Sequence, residues 1–233
     1  MEKSIKAQNR PNTLPAPTTD RRSKVGGTIR ITAIDHVLNS VMWPRLDPLL
    51  QRYPELKIEI SADYRMVDID ADRYDIGVRW GNQVERDMIA VRMTAEQPMV
   101  IVASPGYLAV RGVPCTSQDL LRHNCITLRP TSGGGICGWA LEHKGRKTEA
   151  KVTGQTVFTS VYPMLQAALS GHALVFVTAD LARRHVEAGR LVSVMQEWCP
   201  LFPGLHACYS RRRNPTRALT VVIEALREPL TSL

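Results

Sequence analysis

Two rhythms of apolar spacing alternate along this chain. Residues 28–33 (TIRITA) alternate as a strand, and Val37, Val41, Leu46, Leu49 and Leu50 then recur near helical spacing up to Tyr53 and Pro54. Pro44 falls inside that helical stretch and is expected to kink or restart it. Residues 57–61 (KIEIS) return to alternation, residues 68–73 predict a short acidic helix, and residues 75–79 (DIGVR) make a third strand, which together form a βαβαβ half. The apolar runs 88–93 and 99–103 flank Thr94 to Pro98, and the second runs into Ser104, Pro105 and Gly106, a turn that opens a helix. A second half follows, with a strand at 125–129, a hairpin around Lys144 and Gly145, and an apolar helix over about 162–169 ended by Gly171. Then come a buried strand at 174–177, a helix capped by Asp180 and running to Ala188, and a strand at 191–194. A strand at 205–209 and a last helix with Leu219, Val222, Ile223 and Leu226 on one face complete the pattern.

Composition narrows this little. At 233 residues the chain suits either one large α/β unit or two lobes, and 44% hydrophobic with 22% charged residues is ordinary globular usage. No run approaches the roughly 20 apolar residues of a membrane span, and Met1, Glu2, Lys3 and Ser4 open no secretory core, so no membrane contact and a cytoplasmic location are expected. The five cysteines are odd in number and form no C-x-x-C pair, which points to reduced thiols rather than disulfides or zinc. The net charge of +8 is half accounted for by residues 1–24, with six bases against two acids; with Pro11, Pro15 and Pro17, residues 1–25 read as a flexible basic leader. Arg211, Arg212 and Arg213 have no aromatic residues interleaved with them and read as a solvated turn, not a nucleic-acid platform.

Catalytic patterns are missing. Ser132 lies in a Thr131-to-Gly135 run that matches neither a G-x-S-x-G elbow nor a phosphate loop, and no G-x-G-x-x-G follows a strand. The six histidines have no ligand-type partner at helical spacing, and Asp68, Asp70, Asp72 and Asp75 read as capping a short helix and facing solvent. No enzyme, metal or cofactor is therefore expected. Better candidates sit where strands end and helices begin, because free backbone N–H groups form polar sockets there. Asp35 and His36 occupy one such place; Asp35 is either the helix N-cap or a ligand contact, and its charge would compete with an anionic ligand. Arg79 and Arg129 end strands in the two halves, where they either clamp a carboxylate or phosphate or form structural salt bridges.

Several segments, in order and spacing, resemble the effector-binding region of LysR-type transcriptional regulators. They are residues 27–33 (GTIRITA), Pro44-Arg45-Leu46, Tyr53-Pro54, residues 74–79 (YDIGVR) with Gly81, residues 103–108 (ASPGYL), Asp119-Leu120 with residues 123–126 (HNCI), Gly138-Trp139, residues 167–171 (AALSG), residues 189–192 (GRLV) and residues 209–213. The resemblance spans about residues 26–227. It implies an α/β fold of two Rossmann-like lobes joined by two crossover strands, periplasmic-binding-protein-like (type 2), with residues 26–97 and 204–233 as lobe I and residues 98–203 as lobe II. It also implies a small effector, such as an acid, an amino acid or an aromatic metabolite, held between the lobes so as to shift their angle. Matching positions for that effector are Ile34, Asp35, His36, Asp63, Tyr64, Arg79, Trp80, Arg129, Thr131, Phe158, Thr159 and Thr178. A homodimer or homotetramer is implied, with the first helix of one protomer against the 162–169 helix of another, and DNA contact only through an N-terminal winged helix-turn-helix that these residues do not contain. A free-standing solute-binding protein of the same fold is the alternative. His172-Ala173 and Thr178 depart from the glycine and proline usual in the family and imply a reshaped lobe II wall.

Overall fold

The computed structural model describes residues 25–65, 68–84, 87–130, 135–212 and 214–227; residues 1–24 of the expected leader, Thr131 and Arg213 lie outside the described residues, and Val25, expected as the leader's last residue, is buried in the core instead. In chain order the elements are β1 (Gly27–Ala33), α1 (Asp35–Val37), a π-helical turn (Leu38–Met42), α2 (Trp43–Arg52), β2 (Leu56–Ala62), β3 (Ile76–Trp80) and β4 (Met88–Arg92). Next come β5 (Gln97–Ala103), α3 (Pro105–Arg111), β6 (Cys125–Leu128), β7 (Trp139–His143), β8 (Arg146–Ala150) and β9 (Val157–Phe158). The last are α4 (Val161–Leu169), β10 (Leu174–Thr178), α5 (Ala179–Glu187), β11 (Val192–Val194), β12 (Leu201–Phe202), β13 (Leu205–Ser210) and α6 (Arg217–Arg227).

The strands form two main sheets, one per lobe, and a separate two-stranded β7–β8 hairpin. Lobe I has the order β2-β1-β3-β13-β4, with β1 parallel to β2 and β3 and β13 antiparallel to its neighbours. Ile31, Thr32 and Ala33 are all fully buried, on alternating faces: the helices cover Ile31 and Ala33, while Thr32 on the other face lies under Arg79, whose Nη2 donates to its Oγ1 at 3.2 Å. Met42 and Leu46 from the first helical stretch and Val222 and Leu226 from α6 share one apolar core with β1 and β3. Lobe II has the order β11-β5-β10-β6-β9, in which β10 runs antiparallel to β5 and parallel to β6. Its two faces carry separate cores, one around Leu120, Trp139 and Leu174, the other around Ile126, Met164 and Val175. The β7–β8 hairpin turns through Lys144 and Gly145, both at positive φ (50° and 75°), the geometry that matches the twist of paired strands.

Residues 93–96 and 203–204 carry the chain between the sheets, and they run side by side. Leu205 N donates to Thr94 Oγ1 at 3.0 Å and Met93 N to Leu205 O at 2.8 Å. A Cβ on Gly204 would lie 2.1 Å from Thr94 O, so the close approach of the two crossings requires glycine. Arg45 ties the same region to both helices of lobe I, donating to Met93 O at 3.2 Å and to Leu226 O.

As expected, the first helical stretch restarts at Pro44: it widens to a π-helical turn over Leu38–Met42, and α2 begins at Trp43 with Pro44 in its first turn. Two local expectations change. Residues 68–73 close a turn and stop. Asp68 Oδ1 accepts from Asp70 N and Ala71 N, both at 3.0 Å, and Arg73 then turns left-handed at φ 59°, so no helix propagates. Asp180 does not cap α5; Thr178 occupies the N-cap position and Asp180 lies in the first turn.

Candidate functional site

A cavity of about 300 Å³ lies where the two sheets' strand ends face each other. From lobe I it takes Ile34 and His36 at the start of α1, Tyr64 after β2, Arg79 and Trp80 at the end of β3, and Gln83. From lobe II it takes Met99, Leu128, Pro130, residues 137–140 at the start of β7, Val161 and Met164 on α4, Phe176, Val177 and Thr178 on β10, and Leu181; Phe202 comes from β12 beside the crossing. A strand end opening onto a helix start is where an α/β fold leaves a crevice, since side chains no longer need to pack against the next residue of the sheet.

The wall is aromatic. Trp80 and Phe202 meet edge to face at 5.7 Å, Phe202 and Phe176 at 6.2 Å, and Phe176 stacks on Trp139 at 5.7 Å. This row runs from lobe I through the crossing into lobe II. At its lobe I end the His36 ring stacks on Trp80 at 6.3 Å, and His36 Nε2 lies 3.4 Å from Thr178 Oγ1 of the opposite lobe. Burial pulls the His36 pKa below its ordinary value, against the opposing pull of Asp180 and Asp35, so the ring is neutral at pH 7 and offers one donor and one acceptor.

The ionic groups around the cavity are already occupied. Arg79 is 7% exposed; Nη1 donates to Val78 O at 2.8 Å and Thr32 O at 3.4 Å, and Nη2 to Arg65 O at 3.1 Å and Thr32 Oγ1 at 3.2 Å. Burial lowers its pKa while Asp63 raises it. Asp63 is held by Arg65, whose Nε approaches at 2.8 Å; burial raises the carboxyl pKa, but the Arg65 hydrogen bonds outweigh it and the net shift is downward. Asp35 accepts from His36 N at 2.7 Å, from the Tyr64 hydroxyl, and from Ser160 Oγ at 2.6 Å. Ser160 caps α4 of lobe II, so this last bond crosses the cleft. Burial, followed by the Asp35 contact, drives the Tyr64 pKa far above its ordinary value and keeps the phenol a donor. A second crossing bond joins Asn39 Nδ2 to the Tyr162 hydroxyl at 2.7 Å.

Of the residues that the sequence singled out, Ile34, His36, Tyr64, Arg79, Trp80 and Thr178 line the cavity. Asp35 and Asp63 stand behind it as partners of Tyr64, Ser160 and Arg65. Arg129 and Phe158 are joined by a backbone hydrogen bond of 2.8 Å, Phe158 packs into a lobe II core, and Thr159 faces solvent; none of the three lines the cavity, and Thr131 is outside the described residues. The residues not anticipated are mostly apolar, among them Met99, Leu128, Trp139, Val161, Met164, Phe176, Leu181 and Phe202, with Gln83 and Cys137 as polar exceptions. A usable signal was scarcity, since two of the chain's three Phe and two of its four Trp meet here. Among the described residues no three His, Cys, Asp or Glu side chains gather as metal ligands. A larger hollow of about 630 Å³ on lobe II, bordered by Arg111, Arg122 and His172, is shallow, open and confined to one lobe, so it has no lever on the angle between lobes.

The family described as "LysR substrate binding domain" matches residues 22–231. The chain is 42% identical over 206 residues to a putative transcriptional regulator of Pseudomonas aeruginosa, covering 88% of this chain and 67% of that protein. It is 32% identical over 212 residues to the HTH-type transcriptional regulator PgrR of Escherichia coli, covering 91% of this chain and 71% of the relative. Among solved structures, full-length AphB of Vibrio cholerae superposes with a TM-score of 0.76 at 22% identity, over 88% of this chain and 69% of that one. The regulatory domain of CrgA of Neisseria meningitidis superposes with a TM-score of 0.72 at 20% identity, over 87% of this chain and 98% of that one.

Proposed function

Because the chain belongs to the LysR substrate-binding-domain family, we propose that it senses a small-molecule effector in the cavity between its lobes, whose occupancy sets the lobe angle and thereby transcription. One observation carries this reading: the cavity takes its walls from both sheets, so a ligand filling it touches both lobes at once. A ligand of that kind stabilises whichever angle satisfies both sets of contacts, and the population shifts accordingly. DNA control would be exerted through an HTH domain of the kind named in the E. coli relative, in the cytoplasm. Assembly into a homodimer or homotetramer would use α2, where Trp43 is 53% exposed, against α4, where Tyr162 reaches the surface.

The test is a metabolite screen by thermal shift. An effector present at about 100 times its dissociation constant adds about 2.7 kcal/mol of stability. Hits should lose affinity in Phe176→Ala and Thr178→Val variants, which alter the aromatic row and the polar group beside His36. Hits whose affinity is the same in both variants would place the effector site elsewhere.

A further inference from the structure

We infer that the effector is uncharged: the protein supplies its own carboxylate, Asp35, to the socket where an anionic ligand would bind, and leaves an aromatic slot with one neutral hydrogen-bonding corner. This rests on the cleft being the effector site.

The donors around the socket are already used. The start of α1 offers a peptide N–H, and His36 N already gives it to Asp35 Oδ1 at 2.7 Å. The two hydroxyls that face this point from either lobe, Tyr64 and Ser160, also donate to Asp35. The nearest cation, Arg79, has both terminal nitrogens committed to protein oxygens at 2.8 to 3.4 Å. An anion entering the cavity would therefore find no cluster of free donors, and would lie near Asp35 with little solvent to screen the repulsion.

A cation fares no better. Among the described residues no carboxylate lines the cavity, and Arg79 is the one lining side chain charged at pH 7. The aromatic faces of Trp80, Trp139, Phe176 and Phe202 alone would have to offset both that charge and the loss of hydration. Gln83 and Cys137 also line the cavity but are exposed, and what remains open in its buried part is the pair His36 and Thr178. Both are buried, and their mutual contact is long, at 3.4 Å. Thr178 makes no side-chain cap bond to α5 either. Together they can read one hydroxyl, carbonyl or ring N–H of a flat, otherwise apolar ligand, and about 300 Å³ lies at the small end of ligand pockets.

Three probes of one shape and different charge test this by calorimetry at pH 7: 2-naphthol, 2-naphthoate and 2-naphthylmethylamine. The wild-type chain should bind the naphthol at least about tenfold more tightly than either charged probe, a difference of about 1.4 kcal/mol. Asp35→Asn should raise naphthoate affinity about tenfold and leave naphthol within about threefold. A wild-type preference for naphthoate or for the amine, or no binding of the naphthol, overturns the inference without use of any variant. Phe176→Ala separates it from the reading it rests on: binding lost in that variant but favouring a charged probe sinks only the neutral-ligand claim, whereas naphthol binding that the variant leaves unchanged counts against the cleft itself.

Discussion

Breaking the Ser160–Asp35 bond should loosen the two lobes by a measurable amount. The bond runs from a helix-capping hydroxyl to a carboxylate at 2.6 Å in a partly buried setting. Hydrogen bonds to charged groups contribute about 1.5–3 kcal/mol, and partial exposure favours the lower end. Ser160→Ala also removes a cap, since Ser160 Oγ accepts from Tyr162 N at 3.3 Å, and a lost cap costs a further ~1 kcal/mol. Single variants mix these effects. A double-mutant cycle with Asp35→Ala cancels the cap and the Tyr64 contribution, and should return a coupling of about 1.5 kcal/mol for the pair alone. Urea unfolding followed by both fluorescence and circular dichroism supplies the free energies, provided the two probes report coincident transitions. A coupling below about 0.5 kcal/mol, the margin at which independent sites add, would show that carboxylate and hydroxyl do not pair across the cleft.

Other outcomes are as specific. Gly204→Ala sets a Cβ 2.1 Å from a backbone carbonyl that no side-chain motion can relieve, so it should cost about 1–3 kcal/mol by urea unfolding; a neutral result would mean that the crossings are not in contact. Burial depresses the His36 pKa below its unfolded value of 6.5, so the unfolded chain binds the proton more readily and stability must fall as pH drops through about 6.5. His123 and His185, also shifted down by burial, add to the same slope. His36→Gln should flatten the stability profile between pH 7 and pH 5, and an unchanged slope would show that His36 is not the buried titrating ring.

How far the chain could be read ahead of its structure depended on the kind of information. Strands such as Thr28 to Ala33 were visible because alternation survives in any context, and the β7–β8 turn because Lys144-Gly145 must turn back at positive φ. The helix expected at residues 68–73 failed after one turn because Arg73 turns left-handed and Tyr74 N returns to Ile69 O, a reversal that acidic periodicity does not display even though Asp68 caps the turn. Part of the polar side of the cavity was legible because positions at strand ends before helix starts are few, and His36 and Arg79 lie there; Ile34, Tyr64, Trp80 and Thr178 came from the family resemblance. The cavity's apolar half was not legible. Phe176 sits in a run, residues 174–178, in which every side chain looks like core, and which strand face meets the other lobe is a tertiary fact. Arg79 and Arg129 read alike as strand-end guanidiniums, yet one is bound by four protein oxygens and the other leaves the cavity with Nε buried and unpaired among the described residues.

The strength of the contacts across the cleft decides whether a small ligand can move the lobes at all. Among the described residues three side-chain hydrogen-bonding pairs cross it: Ser160 with Asp35, Asn39 with Tyr162, and Thr178 with His36. The first is charge-assisted. The second is exposed and so weak, and the third is stretched to 3.4 Å. Their sum is a few kcal/mol at most, comparable with the ~5.5 kcal/mol of differential affinity that carries a two-state equilibrium from 1:99 to 99:1. Lobes joined by a large apolar interface would need far more. Here the apolar surface faces the cavity instead, where Trp80, Trp139, Phe176 and Phe202 are left to be covered by whatever enters. The polar bonds set a low threshold for lobe movement, and the aromatic wall supplies the affinity that crosses it.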